Sequence, residues 1–249
     1  MSNASNGSKV ALVTGGTRGI GFETVRQLAQ SGVHTLLAGR DRNKAVDAAL
    51  KLQGEGLPVE AITLDITDPA SIDAAASEIE RKFGKLDILV NNAGIIAEDR
   101  TATRPSQQSV AAWRETFDTN VFAVVATTQA LLPLLHKAPA ARIVNVSSIL
   151  GSLALHTDPA SPIYDFKAVP AYNASKSAVN SWTVHLAYEL RDTPIKVNAV
   201  HPGYVKTDMN AGEGEIDVPT GAKTSVAMAL VGADGPSGGY VYLGETLPW

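Results

Sequence analysis

The chain has 249 residues, 45% of them hydrophobic and 18% charged, enough for one soluble globular domain with a large core. Its 21 basic and 25 acidic residues leave a net charge of −4, which excludes the basic footprint of a nucleic-acid or anionic-membrane binder. Without a cysteine there is no disulfide, thiol nucleophile or cysteine-ligated zinc, which fits a cytoplasmic protein, and the five histidines lack metal-ligand spacing.

Residues 1–8 are rich in Ser, Asn and Gly, with no basic segment before an apolar run. They read as a disordered tail ahead of a domain spanning 9–249, and no stretch approaches the length expected of a membrane span. Residues 9–14 form a short apolar strand leading into Gly15-Gly16-Thr17-Arg18-Gly19-Ile20-Gly21, followed by an amphipathic helix to about residue 31. A second strand at 34–39 precedes a helix over 41–55 that opens on a capping acid. After a third strand at 59–64, Asp68-Pro69 caps and starts a helix to Phe83. A fourth strand at 86–91 gives way to a polar loop through Ser106, a long helical stretch from about 110 to 136, and a fifth strand at 142–146. An irregular stretch then leads to a helix over 171–191, a strand at 195–200, a helix near 221–231 and a last strand at 240–243. Nearly continuous apolar strands alternating with helices predict an α/β fold, a parallel sheet covered on both faces and joined by right-handed crossovers.

The glycine turn after the first strand has the makings of a dinucleotide site. Glycines let the backbone turn tightly and approach a pyrophosphate, whose charge meets a helix N-terminus. Taken alone, the spacing G-x-x-x-G-x-G suits an ordinary glycine-rich loop equally well; its place in an alternating chain favours the nucleotide. The end of the second strand decides between cofactors, because an acid there holds a ribose 2′-hydroxyl and an arginine suits a 2′-phosphate. Gly39-Arg40 stands at that point, with Arg42 nearby and Arg18 inside the turn. Three solvated surface arginines are the plain alternative; the expectation is NADP(H).

Further along, Tyr172 and Lys176 lie one helical turn apart, on one face. Of the six tyrosines, this one alone has a lysine four residues on. Such a spacing is more often an amphipathic helix with a solvated lysine. As a functional pair, the ammonium should draw the phenol's pKa down from about 10 towards neutrality, making a proton donor for a carbonyl oxygen.

Together these motifs resemble the short-chain dehydrogenases/reductases of the compact single-domain type, with the carbonyl-reductase branch as the nearest pattern. The likeness covers nearly the whole chain in order: T-G-G-T-R-G-I-G, L-D-I-T at 64–67, N-N-A-G at 91–94, Asn120, V-S-S at 146–148, Y-N-A-S-K at 172–176 and P-G-Y-V-K-T at 202–207. The resemblance implies a Rossmann-like doubly wound sheet of about seven strands in the order 3-2-1-4-5-6-7. It also implies that Asn120, Ser148, Tyr172 and Lys176 are catalytic. In these roles Ser148 holds the substrate carbonyl, Tyr172 protonates the alkoxide, Lys176 binds ribose and lowers the tyrosine pKa, and Asn120 holds a relay water. For the cofactor it implies Gly15, Thr17, Arg18, Gly19, Ile20 and Gly21 around the pyrophosphate and Arg40 at the 2′-phosphate. Asp65 and Ile66 would lie at the adenine, Asn92, Ala93 and Gly94 beside its ribose, and Pro202, Gly203, Val205 and Thr207 at the nicotinamide side. The expected activity is NADPH-dependent reduction of a small-molecule ketone or aldehyde, the reverse with an alcohol; a non-catalytic dinucleotide sensor is the alternative. A serine hydrolase fails, since no G-x-S-x-G elbow occurs.

Two departures from the compact pattern stand out. Ser148 and Tyr172 are 24 positions apart, about ten more than the pattern, with the extra segment at 155–169. By resemblance, such a segment covers the helices that otherwise build a tetramer, which puts a monomer first and a dimer next. The second departure is a short stretch at 208–219, acidic through Asp208, Glu213, Glu215 and Asp217 and expected to be mobile at Gly212 and Gly214.

Overall fold

The apolar runs form strands whose alternate residues face two different cores. The computed structural model describes residues 8–99 and 104–249. The tail expected at 1–8 therefore lies outside the described residues except for Ser8, as do residues 100–103 of the polar loop. Strands β1 (Val10–Val13), β2 (His34–Gly39), β3 (Val59–Thr63), β4 (Ile88–Asn91), β5 (Arg142–Val146), β6 (Lys196–Val200) and β7 (Tyr240–Tyr242) pair in parallel in the order 3-2-1-4-5-6-7. The order matches the expectation. An eighth strand, β8 (Glu245–Thr246), adds antiparallel to β7, one beyond the about seven expected. Its turn places Leu243 at φ 45° and Gly244 at φ 92°, the left-handed pair that a tight hairpin needs.

Eight helices flank the sheet: α1 (Gly19–Gln30), α2 (Arg42–Gly54), α3 (Pro69–Phe83), α4 (Val110–Phe117), α5 (Ala123–His136), α6 (Leu153–Thr157), α7 (Pro170–Glu189) and α8 (Val218–Ala229), all among the described residues. Within β1, Val10 and Leu12 join a core with α3, α5 and α7, while Ala11 and Val13 join a second with α1, α2 and α8. A period of two on a strand buried on both faces produces this division. Asp41 and Asp68 cap α2 and α3 as expected, accepting from the amides of Lys44 and Ala70.

The long helical stretch is not one uniform α-helix. Between α4 and α5 the segment Asp118–Phe122 is a π-turn, and Asn120 sits inside it. Such bulges mark functional positions often enough to draw attention to this one. The whole run, Val110–His136, has 27 residues and a mean hydropathy of 1.2 in its most apolar window. By length and composition it could cross a membrane, which corrects the reading that no stretch approaches that length; half of that window is buried inside the fold.

Residues 155–169, the extra segment, contain the end of α6 and a series of turns. Next to them the amide of Ala154 donates to the carbonyl of Trp249 (2.9 Å) and the hydroxyl of Ser152 to that of Pro248 (2.8 Å). The segment ends on Val169, which is buried in the left-handed region at φ 49° directly before Pro170. A β-branched residue before proline avoids that conformation, which costs on the order of 1–3 kcal/mol.

Candidate active site

Tyr172, Lys176, Ser148 and Asn120 meet at the carboxyl ends of the strands. β5 ends at Val146, and the next residues part ways. Ser147 turns inward, donating to Asn180 Oδ1 at 2.6 Å, whereas the Ser148 side chain hydrogen-bonds the phenol of Tyr172. Lys176 Nζ stands 5.5 Å from the centre of the Tyr172 ring and donates to the Val146 carbonyl at 2.8 Å. A methyl group added at Gly94 would come within 3.3 Å of Asn120 Oδ1 and 3.6 Å of Lys176 Nζ, so these three positions crowd one corner.

Asn120 is bonded to its neighbours through both donors and one lone pair. Its Oδ1 accepts from the amide of Ile95 (2.8 Å), and its Nδ2 donates to the carbonyl of Ile95 (2.9 Å) and to Ser175 Oγ (3.0 Å). Two donors and one lone pair are thereby used, leaving a single lone pair for a relay water. The side chain's evident work is to pin the turn after Gly94.

The electrostatics correct one expectation. Burial pushes the Tyr172 phenol up to about 12, aided by the nearby negative charge of Glu98; the Ser148 hydrogen bond pulls the other way. Desolvation likewise brings Lys176 down to about 8. The lysine therefore does not draw the phenol towards neutrality. Spacing brings the two together, but desolvation is the larger influence on both.

The glycine turn lies against the same crevice. Gly15 and Gly19 adopt φ 63° and 56°, which other residues take only under strain. A methyl at Gly15 would meet Ala93 at 3.0 Å, and one at Gly21 would meet Gly15 O at 2.3 Å and Asn92 Nδ2 at 2.4 Å. Thr14 ties the pieces together: its hydroxyl accepts from the amides of Asn92 and Ala93, and its carbonyl accepts from Asn92 Nδ2. Thr17 packs on Gly39 at the end of β2, where Arg40 is exposed and Asp65 lies close enough to feel its charge. Ile66, beside Asp65, is buried. Pro202 and Gly203 (φ 90°) follow β6, Val205 bridges to Ile216, and Thr207 stands 3.8 Å from a methyl placed on Gly19. The expected site residues thus lie at or beside the carboxyl ends of β1 to β6, with Asn120, Tyr172 and Lys176 brought to them from the flanking helices. The short acidic stretch is a closed turn: Asp208 pairs with Arg18 at 2.9 Å, Tyr204 donates to Glu213, and Asp217 caps α8.

A family model for the short chain dehydrogenases matches residues 9–216. The chain belongs to the short-chain dehydrogenase/reductase family. Among its relatives, the (+)-neomenthol dehydrogenase of Capsicum annuum is 33% identical over 312 aligned residues, covering 98% of this chain and 99% of that one. Salutaridine reductase of Papaver bracteatum is 34% identical, covering 92% and 93%. Among solved structures, NADPH-bound carbonyl reductase from chicken fatty liver superposes with a TM-score of 0.84 at 28% identity, covering 97% of this chain and 99% of that one. Salutaridine reductase from Papaver somniferum gives 0.82 at 32%, covering 93% and 99%. This chain is accordingly an oxidoreductase with a Rossmann-like fold.

A dinucleotide fits what this family member presents. The first turn of α1 carries neither a side-chain cap nor an acid, so its amides are left to an acceptor from outside the helix, with the dipole behind them. A Cβ at Gly19 would meet nothing nearer than the Thr207 methyl, which leaves room for a phosphate over the turn. Asp41, the acid nearest the end of β2, is occupied in capping α2.

Three contributors escaped the sequence reading. Glu98 is buried and accepts the amide of Tyr172; Tyr240 donates to the Ser148 carbonyl and stacks on Trp249; Thr14 organises the turn. Thr14 opens the T-G-G-T-R-G-I-G motif, though its role as the tie between the two loops was not foreseen. Tyr240 stands in the ending G-P-S-G-G-Y, which resembles the carbonyl-reductase branch, but nothing local marks Glu98.

Proposed function

We propose that this chain is an NADPH-dependent carbonyl reductase, converting a ketone or aldehyde to an alcohol, with the reverse oxidation accessible. The observation carrying this reading is the convergence of Ser148, Tyr172, Lys176 and Asn120 beside the glycine turn. Bound nicotinamide supplies the hydride. Ser148 holds the substrate oxygen next to the phenol, and Tyr172 gives that oxygen a proton as negative charge develops on it. A phenol held at about 12 is protonated throughout the neutral range, so it is ready to donate. Lys176, held at about 8, is mainly the ammonium at neutral pH; it grips the nicotinamide ribose and can return a proton to the tyrosine. Asn120 keeps the Gly94–Ile95 turn in place beside it. Exposed Arg40 and Arg42, with Asp41 committed to its helix, support the 2′-phosphate and hence NADPH.

NADPH absorbance followed against a panel of ketones and aldehydes tests the reading. Enzyme-dependent oxidation that is faster with NADPH than with NADH is expected. Binding of NADPH with no oxidation by any carbonyl would overturn the reductase and leave a dinucleotide sensor.

A further inference from the structure

Glu98 is a carboxylate only 6% exposed, yet no salt bridge accounts for it among the described residues. Its Oε1 accepts the backbone amide of Tyr172 at 2.7 Å, across 74 positions of sequence, and its Oε2 stands 3.5 Å from Thr116 Oγ1 on α4. Buried carboxylates are costly unless their hydrogen bonds are strong, and a charge-assisted bond to a helix amide is one of the strong kinds. The helix concerned lacks its own cap, because Val169 at the N-cap position has no polar side chain. Tyr172 is the third residue of α7, and its amide is one of the donors that the helix leaves unsatisfied. Pro170 sets the backbone of the first helical position, but the strained Val169 before it offers no side-chain acceptor to the free amides.

We propose that Glu98 is a positioning residue for the reaction: by taking the amide of Tyr172, its buried carboxylate fixes where the phenol stands. The proposal rests on the reading of Tyr172 as proton donor. Glu98 follows closely on the Gly94–Ile95 turn that Asn120 pins, so one short segment joins the wall of the nucleotide crevice to the head of the catalytic helix. Its charge also disfavours the phenolate, keeping the donor protonated. The other titratable groups that bear on the phenol are Lys176 on α7 and Tyr240 on β7, while His201 after β6 stands one step further off, against Ile149 and Tyr242. Burial keeps His201 neutral, down at about 4, while its Nδ1 accepts from the amide of Ile149.

Two variants separate position from charge. Glu98→Gln keeps an acceptor and loses the charge; Glu98→Ala loses both. For Glu98→Ala, turnover should fall on the order of tenfold to hundredfold with NADPH affinity unchanged, since a small misplacement of a reacting group has effects of that size. For Glu98→Gln, neutral-pH turnover and the thermal midpoint should hold, while the alkaline loss of reductase activity moves to lower pH by about half a unit to one unit. The limb concerned is that of Tyr172, whose phenolate the Glu98 charge disfavours, so removing that charge lowers its pKa. Full turnover in Glu98→Ala, or a Glu98→Gln variant as slow as Glu98→Ala, overturns the proposal while leaving the reductase reading intact. Should the wild-type chain reduce no carbonyl, ultraviolet titration of the phenolate decides, with the Tyr172→Phe background subtracted. Glu98→Gln should then ionise at lower pH than wild type, and equal midpoints overturn the proposal.

Discussion

The heads of α1 and α7 face the same crevice and solve the same problem in opposite ways. Each begins with amides that no helical carbonyl can satisfy and with the positive end of a dipole. Helix α1 has no side-chain cap and reaches its first turn through glycines at φ 63° and 56°, so the unsatisfied amides remain available to an anion from outside. Helix α7 is reached through strained Val169, and a carboxylate from 74 positions away has already taken the amide of Tyr172. An open head suits a group that comes and goes. A filled head suits a side chain that has to stay still, and Tyr172 is that side chain.

The largest expected effect falls on the filled head. Tyr172→Phe removes one hydroxyl and preserves the ring's packing, so turnover should drop by about 10²–10⁴-fold, the usual contribution of a positioned general acid. NADPH affinity should barely move, because the glycine turn is untouched. Steady-state rates and a fluorescence titration of NADPH check both halves; a phenylalanine variant with most of its activity would remove the proton-donor assignment.

A smaller effect belongs to the open head. In Gly21→Ala the new methyl would sit 2.3 Å from Gly15 O and 2.4 Å from Asn92 Nδ2, so the turn must shift. NADPH and NADH should both bind about tenfold or more weaker, each tenfold being ~1.4 kcal/mol. Titration of the two cofactors measures this. Unchanged affinity for both would mean that the pyrophosphate does not sit on this turn.

The same two regions show what a sequence reveals. The open head was legible because glycines at fixed offsets after an apolar strand are local signals with a geometric cause. So was the covering of both sheet faces, since a continuous apolar run such as β1 is a local pattern. At the filled head, Tyr172 and Lys176 were visible as neighbours, but the direction of their titration was not. Burial arises from chain segments far away in sequence, and it outweighs the local charge. Glu98 was hidden for the same reason. Asn120 could be picked out while its π-turn could not, because one extra residue in a helical turn leaves no periodic trace over so short a span. Strand β8 escaped because it has two residues and its turn uses Leu243 where Asn would be the usual signal.

The subtlest effect lies at the rim of the open head. Arg18 is engaged with Asp208 on the turn beyond β6, whereas Arg40 projects at the end of β2 within electrostatic reach of Asp65. A guanidinium there favours the extra phosphate of NADPH and contributes little to NADH, which has only hydroxyls at that ribose. Arg40→Asp places a carboxylate beside Asp65, repelling the phosphate while offering an acceptor to a hydroxyl. NADPH should weaken about tenfold relative to NADH, ~1.4 kcal/mol, with turnover at saturating cofactor nearly unchanged. Because both partners are solvated, the difference should shrink as salt is raised. Equal losses for the two cofactors would place the discrimination elsewhere, with Arg42 the next arginine to change.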